Sequence, residues 1–125
     1  MLKLTILTAA VAISGLAAIG LSARASAGET EQIFGFYCAQ CHGLEGKGDG
    51  PNVGDDFPVS PRNFTNADEM NKLSDADIKN VILDGGPAMS KSAMMPPWSK
   101  TLSDDQVDAL IQHLRVLCAC EGKQG

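Results

Sequence analysis

The sequence predicts an all-α fold, a single small domain of roughly three to five helices and long loops. Three observations point there. Apolar residues recur at helical spacing in three places, two of them opened by a side chain suited to capping. No stretch shows the alternation of a half-buried strand. The intervening segments hold most of the 13 glycines and 6 prolines.

Length and composition bound the rest. The chain has 125 residues, of which 44% are hydrophobic and 20% charged, a balance that fits a folded domain and leaves no room for a second one. Aromatics are only 5%, so the core must come from aliphatic side chains or from something the chain does not encode. A formal charge of -5 argues against nucleic acid as a partner, because phosphate binding needs a basic face.

Residues 1–27 read as a secretory signal peptide: Lys3 precedes an uncharged, mostly apolar run from Leu4 to Leu21, and Ala25-Ser26-Ala27 is a small-residue cleavage site. The run is also about long enough to span a bilayer, so the rival is a retained anchor, although Thr5, Thr8, Ser14, Gly15 and Gly20 dilute it. Cleavage would export the domain 28–125, with 8 basic and 15 acidic residues once Lys3 and Arg24 are gone, a charge of 8 − 15 = −7. A domain this small gains from a staple such as a disulfide, a metal or a cofactor.

Within that domain, Thr30 to Gln40 is the first helix, with Ile33, Phe34, Tyr37 and Cys41 at helical spacing and Gly35 as a weak point. Gly43 to Pro61 keeps no apolar period and reads as a long loop, which when ordered needs something to wrap around. The middle helix opens at Ser74, carries Asp75 and Asp77 in its first turn and the stripe Ile78, Val81, Ile82, and ends at Gly85-Gly86-Pro87. A second loop, Ala88 to Thr101, contains Met89, Met94, Met95, Pro96, Pro97 and Trp98. In the last helix Ser103 and Gln106 form a capping box, Val107, Leu110, Ile111, Leu114 and Leu117 share a face, and Arg115 lies towards the end.

The chemistry concentrates in Cys38-Ala39-Gln40-Cys41-His42. C-x-x-C-H is the attachment signature of c-type haem. Cysteines three apart on a helical turn lie on one side, where each thiol can add to one of the two vinyl groups of a haem edge. His42 follows, placed to give iron an imidazole nitrogen. Zinc would need a second ligand pair at finger spacing, and a thioredoxin-type dithiol would need a βαβ context; neither is present. An export signal agrees with covalent haem attachment outside the inner membrane.

For a sixth iron ligand the candidates are Met70, Met89, Met94 and Met95. Met95 precedes Pro96, which holds it extended, and two prolines lower the entropy of fixing its sulfur. Neighbours in an extended stretch point opposite ways, so Met94 and Met95 cannot both face iron; the others would pack as apolar wall.

These features resemble the class I c-type cytochromes, small bacterial electron carriers. The resemblance covers essentially all of 28–125 and rests on Cys38–His42, on Met95-Pro96-Pro97-Trp98 and on Leu102-Ser103-Asp104-Asp105-Gln106. It implies the cytochrome c fold around one covalent haem, with the terminal helices crossing near a right angle. Thr30 stands where the family has a small residue at that crossing, Phe34 matches its aromatic, and His113 takes the aromatic place on the last helix. The resemblance also selects Met95 as ligand and assigns His113 to packing rather than to a bis-histidine haem. It gives the other nitrogen of His42 a carbonyl acceptor in a Gly-Pro turn, matched here to Pro51 of Gly50-Pro51. Arg62 is expected to face a haem propionate or to be a solvated surface residue.

Cys118-Ala119-Cys120 falls outside the family pattern. A tight disulfide marking the helix end, a dimer link, a metal site and inert thiols are all open readings.

The function expected is that of a periplasmic or otherwise exported one-electron carrier and not an enzyme, with His42 and Met95 on the iron. Its redox partners would include one with a basic docking patch, drawn by Glu45, Asp49, Asp55 and Asp56. Two alternatives stand: a haem enzyme or gas sensor with an open sixth site, and a haem subunit of a membrane redox complex. Membrane association is expected only if the N-terminal segment is retained.

Overall fold

The computed structural model describes residues 27–124. The expected signal or anchor, residues 1–27, lies outside the described residues except for its last position. Among the described residues there is no strand, and no helix is long and apolar enough to cross a membrane.

The first helical run, α1, spans 27–42, a little longer than expected at both ends. Gly35 does not break it. The Phe34–Cys38 stretch widens into a π turn, closed by Ala39 N–H donating to Phe34 C=O, and Ala39–His42 returns to α geometry. A π turn weakens the backbone ladder locally, and Gln40 Nε2 donates to Gly35 C=O at 3.5 Å beside it.

The glycine-rich stretch wraps the end of α1. Gly48, Gly50 and Asn52 donate their N–H groups to the carbonyls of His42, Cys41 and Gln40 at 2.7, 3.1 and 2.8 Å. These are the carbonyls a helix leaves unpaired at its C-terminus. Gly50 is required by the closeness of that approach: a Cβ there would sit 2.5 Å from the carbonyl oxygens of both Ala39 and Gln40.

A short helix that the sequence reading missed, α2, covers Ala67–Met70. Asn66 caps it by accepting from Glu69 N–H, and Asp68 and Glu69 suit its first turn. Helix α3, Asp75–Asp84, starts where expected, with a reciprocal capping box between Ser74 and Asp77. It buries Ile78 and Ile82. A 3₁₀ turn, Gly86–Met89, follows.

The methionine loop then folds back on the end of α3. Gly86 N–H donates to Met95 C=O, Trp98 N–H to Ile82 C=O and Ser99 N–H to Leu83 C=O. Gly86 allows this because a Cβ would stand 2.0 Å from Ser92 C=O.

Helix α4, Asp104–Cys118, opens on the expected Ser103–Gln106 capping box. Val107, Leu110, Ile111 and Leu114 are buried, and Leu117 packs at the margin of the core. The contacts that join α1 to α4 include the Phe34 and His113 rings, 4.8 Å apart, and Gln106 Nε2 donating to Glu29 Oε1 at 2.8 Å. Thr30 is buried.

Arg115 is buried as well, not merely placed to suit the helix dipole. Its guanidinium donates to Asp75 Oδ1 and to the carbonyls of Met70 and Leu73, tying α4 to the end of α2, the start of α3 and the segment between them. Ala119 turns left-handed at φ 48°, and Cys118, the last residue of the helix, forms a disulfide with Cys120 just past it. Of the four readings of this pair, the intrachain bridge is the one the structure contains.

Candidate haem site

The helices and the two long loops enclose a cavity of about 610 Å³. Its wall is mostly apolar, with Phe34, Tyr37, Ile78, Ile82, Trp98 and Leu110 among the contributors. That volume and character suit a large, flat, apolar cofactor.

The end of α1 brings Cys38, Cys41 and His42 to this wall together. Both thiols are free. Burial pushes the Cys38 thiol up to about 11. It is therefore protonated at neutral pH, unlike the acidic cysteine of a dithiol oxidoreductase. Burial also lowers the His42 pKa, opposed by its backbone hydrogen bond, and so favours the neutral imidazole that a metal requires.

The ring of His42 is held on two sides. Nδ1 lies 3.0 Å from the carbonyl of Arg62. A carbonyl only accepts, so Nδ1 carries the proton and Nε2 keeps the lone pair. The Phe64 ring stacks on the imidazole, centroids 4.4 Å apart and planes 20° from parallel.

This corrects the expectation for Pro51, whose carbonyl is not the acceptor. Pro51 is exposed and does not line the cavity. The residues beside it, Gly50 and Asn52, are engaged in closing the end of α1, which holds that turn at the helix end. Arg62, expected either to meet a propionate or to be a solvated surface residue, lines the cavity, and its guanidinium donates to Glu69 Oε2 at 3.1 Å.

All four candidate methionines reach the wall, in different settings. Met70 is completely buried on α2, Met94 is 51% exposed, and Met89 Sδ accepts from Asn80 Nδ2 at 3.4 Å. Met95 has both backbone groups fixed: its carbonyl accepts from Gly86, and its N–H donates to Ser92 C=O at 3.2 Å. His113 does not line the cavity; it packs on Phe34.

The donor set and the cavity fit a covalently held haem. Two free thiols three residues apart, an imidazole with a fixed tautomer and a thioether share one apolar chamber. Among the described residues no group of three or more His, Cys, Asp and Glu is arranged to hold a metal ion by itself.

A helical chain that brings a C-x-x-C-H turn to such a chamber has the form of a class I c-type cytochrome. The family described as cytochrome c oxidase, cbb3-type, subunit III matches residues 25–114, and the chain belongs to it. No curated protein matches the chain. Solved structures similar to the chain include these two. One is described as the KustC0563 c-type cytochrome, 27% identical over 75% of this chain and 98% of that one, with a TM-score of 0.53. The other is the Kuenenia stuttgartiensis reducing HAO-like protein complex Kustc0457/Kustc0458, 30% identical over 74% of this chain and 42% of that one, with a TM-score of 0.58. This chain thus spans less than half of the matched chain of that complex. The fold is the all-α cytochrome c fold, and membership implies covalently bound haem c and a part in electron transfer.

Proposed function

We propose that the chain is an exported carrier of one electron at a time, holding a single haem c whose iron is bound by His42 and Met95. Covalent haem supplies the ferric–ferrous couple. The chain's own residues do the rest. Cys38 and Cys41 anchor the macrocycle through thioethers. His42 presents Nε2 because Arg62 C=O fixes the proton on Nδ1. The apolar wall excludes water. Met95 offers a soft sulfur from a loop stiffened by Pro96 and Pro97, which favours the ferrous state and closes the iron to small ligands.

The single observation that carries this reading is the convergence of Cys38, Cys41, His42 and Met95 on one cavity. Support for Met95 over its neighbours comes from its two fixed backbone groups. Export rests on the leader-like residues 1–27.

Redox protein partners accord with the complex named above as similar in structure. A basic patch on one of them is supported by Asp55 and Asp56, both exposed and next to Phe57, which lines the cavity. Such association weakens as salt rises. That complex also favours a second reading, a cytochrome subunit within a larger redox enzyme.

Met95→Ala tests the ligation. Ferric wild-type protein is expected to show the weak red-edge absorption band of a thioether-bound haem. Met95→Ala should lose the band and lower the reduction potential, while Met94→Ala and Met89→Ala keep it. Loss of the band in Met94→Ala alone would move the ligand by one residue.

A further inference from the structure

We propose that Glu69 is a positioning residue for the haem ligand His42, acting through Arg62; the proposal rests on His42 binding the iron. Arg62 is attached to the site twice. Its carbonyl accepts the hydrogen bond from His42 Nδ1–H, and its guanidinium donates to Glu69 Oε2. The backbone and the side chain of one residue thus connect a ring on α1 to the only described carboxylate that pairs with Arg62.

Glu69 is itself fixed. It lies on α2, its N–H donates to the Asn66 cap, and its other oxygen takes Lys72 Nζ. Around Arg62 the chain is also braced where Phe64 N–H donates to Gly46 C=O at 2.6 Å and the Phe64 ring lies on His42. Pulling Arg62 towards α2 therefore sets where its carbonyl meets the imidazole.

The Arg62–Glu69 pair is partly exposed, 34% and 42% for the two side chains, so its worth in stability is small. Its effect is on direction. A carbonyl well aligned on Nδ1–H makes the imidazole a stronger donor and favours ferric iron; a loosened one raises the reduction potential.

Charge alone and positioning give different signs, and this separates them. Glu69→Gln removes a negative charge near the haem and Arg62→Ala removes a positive one. Simple electrostatics shifts the potential up in the first and down in the second. Positioning shifts it up in both, because either change frees the Arg62 carbonyl.

The experiment measures the midpoint potential of the haem-loaded variants, together with solvent exchange of the His42 Nδ1 proton by NMR of the diamagnetic ferrous protein. Expected are upward shifts in both variants, a double variant no further shifted than the larger single one, and exchange several-fold faster in each. Shifts of opposite sign with unchanged exchange would overturn the proposal. If either variant loses haem, Glu69→Asp and Arg62→Lys are read by the same criterion. Wild-type protein lacking the spectrum of two strong axial ligands would instead refute the underlying His/Met reading, so the two failures are distinct.

Discussion

Gly50 shows how much a single residue carries here. It packs against the carbonyls of Ala39 and Gln40, and its N–H closes the end of the helix that bears the cysteines and the histidine. Gly50→Ala must push backbone aside, because no flexible side chain is there to yield. Overpacking of this kind costs about 1–3 kcal/mol. Denaturant unfolding of haem-loaded protein is expected to show a lower midpoint with unchanged slope. An unchanged midpoint would mean that the loop gives way freely. At this scale part of the cavity wall was legible: the short pattern Cys38, Cys41 and His42 reaches it together, as do all four candidate methionines, among which the proline after Met95 is the sequence signal that singles one out. The acceptor for His42 was not. It is a backbone carbonyl 20 residues away, and a carbonyl carries no side-chain signature by which sequence could name it. Gly50-Pro51 looked suitable as a turn, but its neighbouring N–H groups were already needed by α1.

At the scale of elements, α3 and α4 were readable because each opens on a capping box and shows an apolar stripe. The π turn in α1 was not readable beyond the warning given by Gly35. Helix α2 escaped because it is too short to show a period, although Asn66 followed by Asp68 and Glu69 was an available signal. The joint between α1 and α4 carries a pH dependence. His113 packs on Phe34, and its Nε2 is buried without a hydrogen-bond partner among the described residues. Burial lowers its pKa, and Glu31 opposes this by charge attraction. Because the folded pKa lies below the unfolded value of about 6.5, the unfolded chain binds the proton more readily. This contribution is intact above that value and is lost as pH falls through it towards the folded pKa. His113→Phe should remove it. The expected result is that the variant loses less stability than wild type between neutral and mildly acidic pH. Parallel stability–pH curves would place the titration elsewhere.

For the whole molecule, the low aromatic content left two sources for the core, aliphatic side chains or something the chain does not encode, and the buried residues are indeed mostly aliphatic. Beside that core the helices and loops surround a chamber of about 610 Å³. The size of that chamber was not visible in the sequence, because it depends on the methionine loop folding back on α3 and on Arg115 holding α4 to the residues before α3. Both are contacts across the fold with no local signal. A closed chamber with two strong ligands makes a carrier; the same chamber with a free iron position makes a sensor or a catalyst. The most direct test is a spectroelectrochemical titration of the haem-loaded protein with and without carbon monoxide. The carrier predicts one electron per chain, a single wave, low-spin spectra in both states and a midpoint unmoved by the gas. A midpoint raised by carbon monoxide, or a high-spin ferrous spectrum, would contradict it.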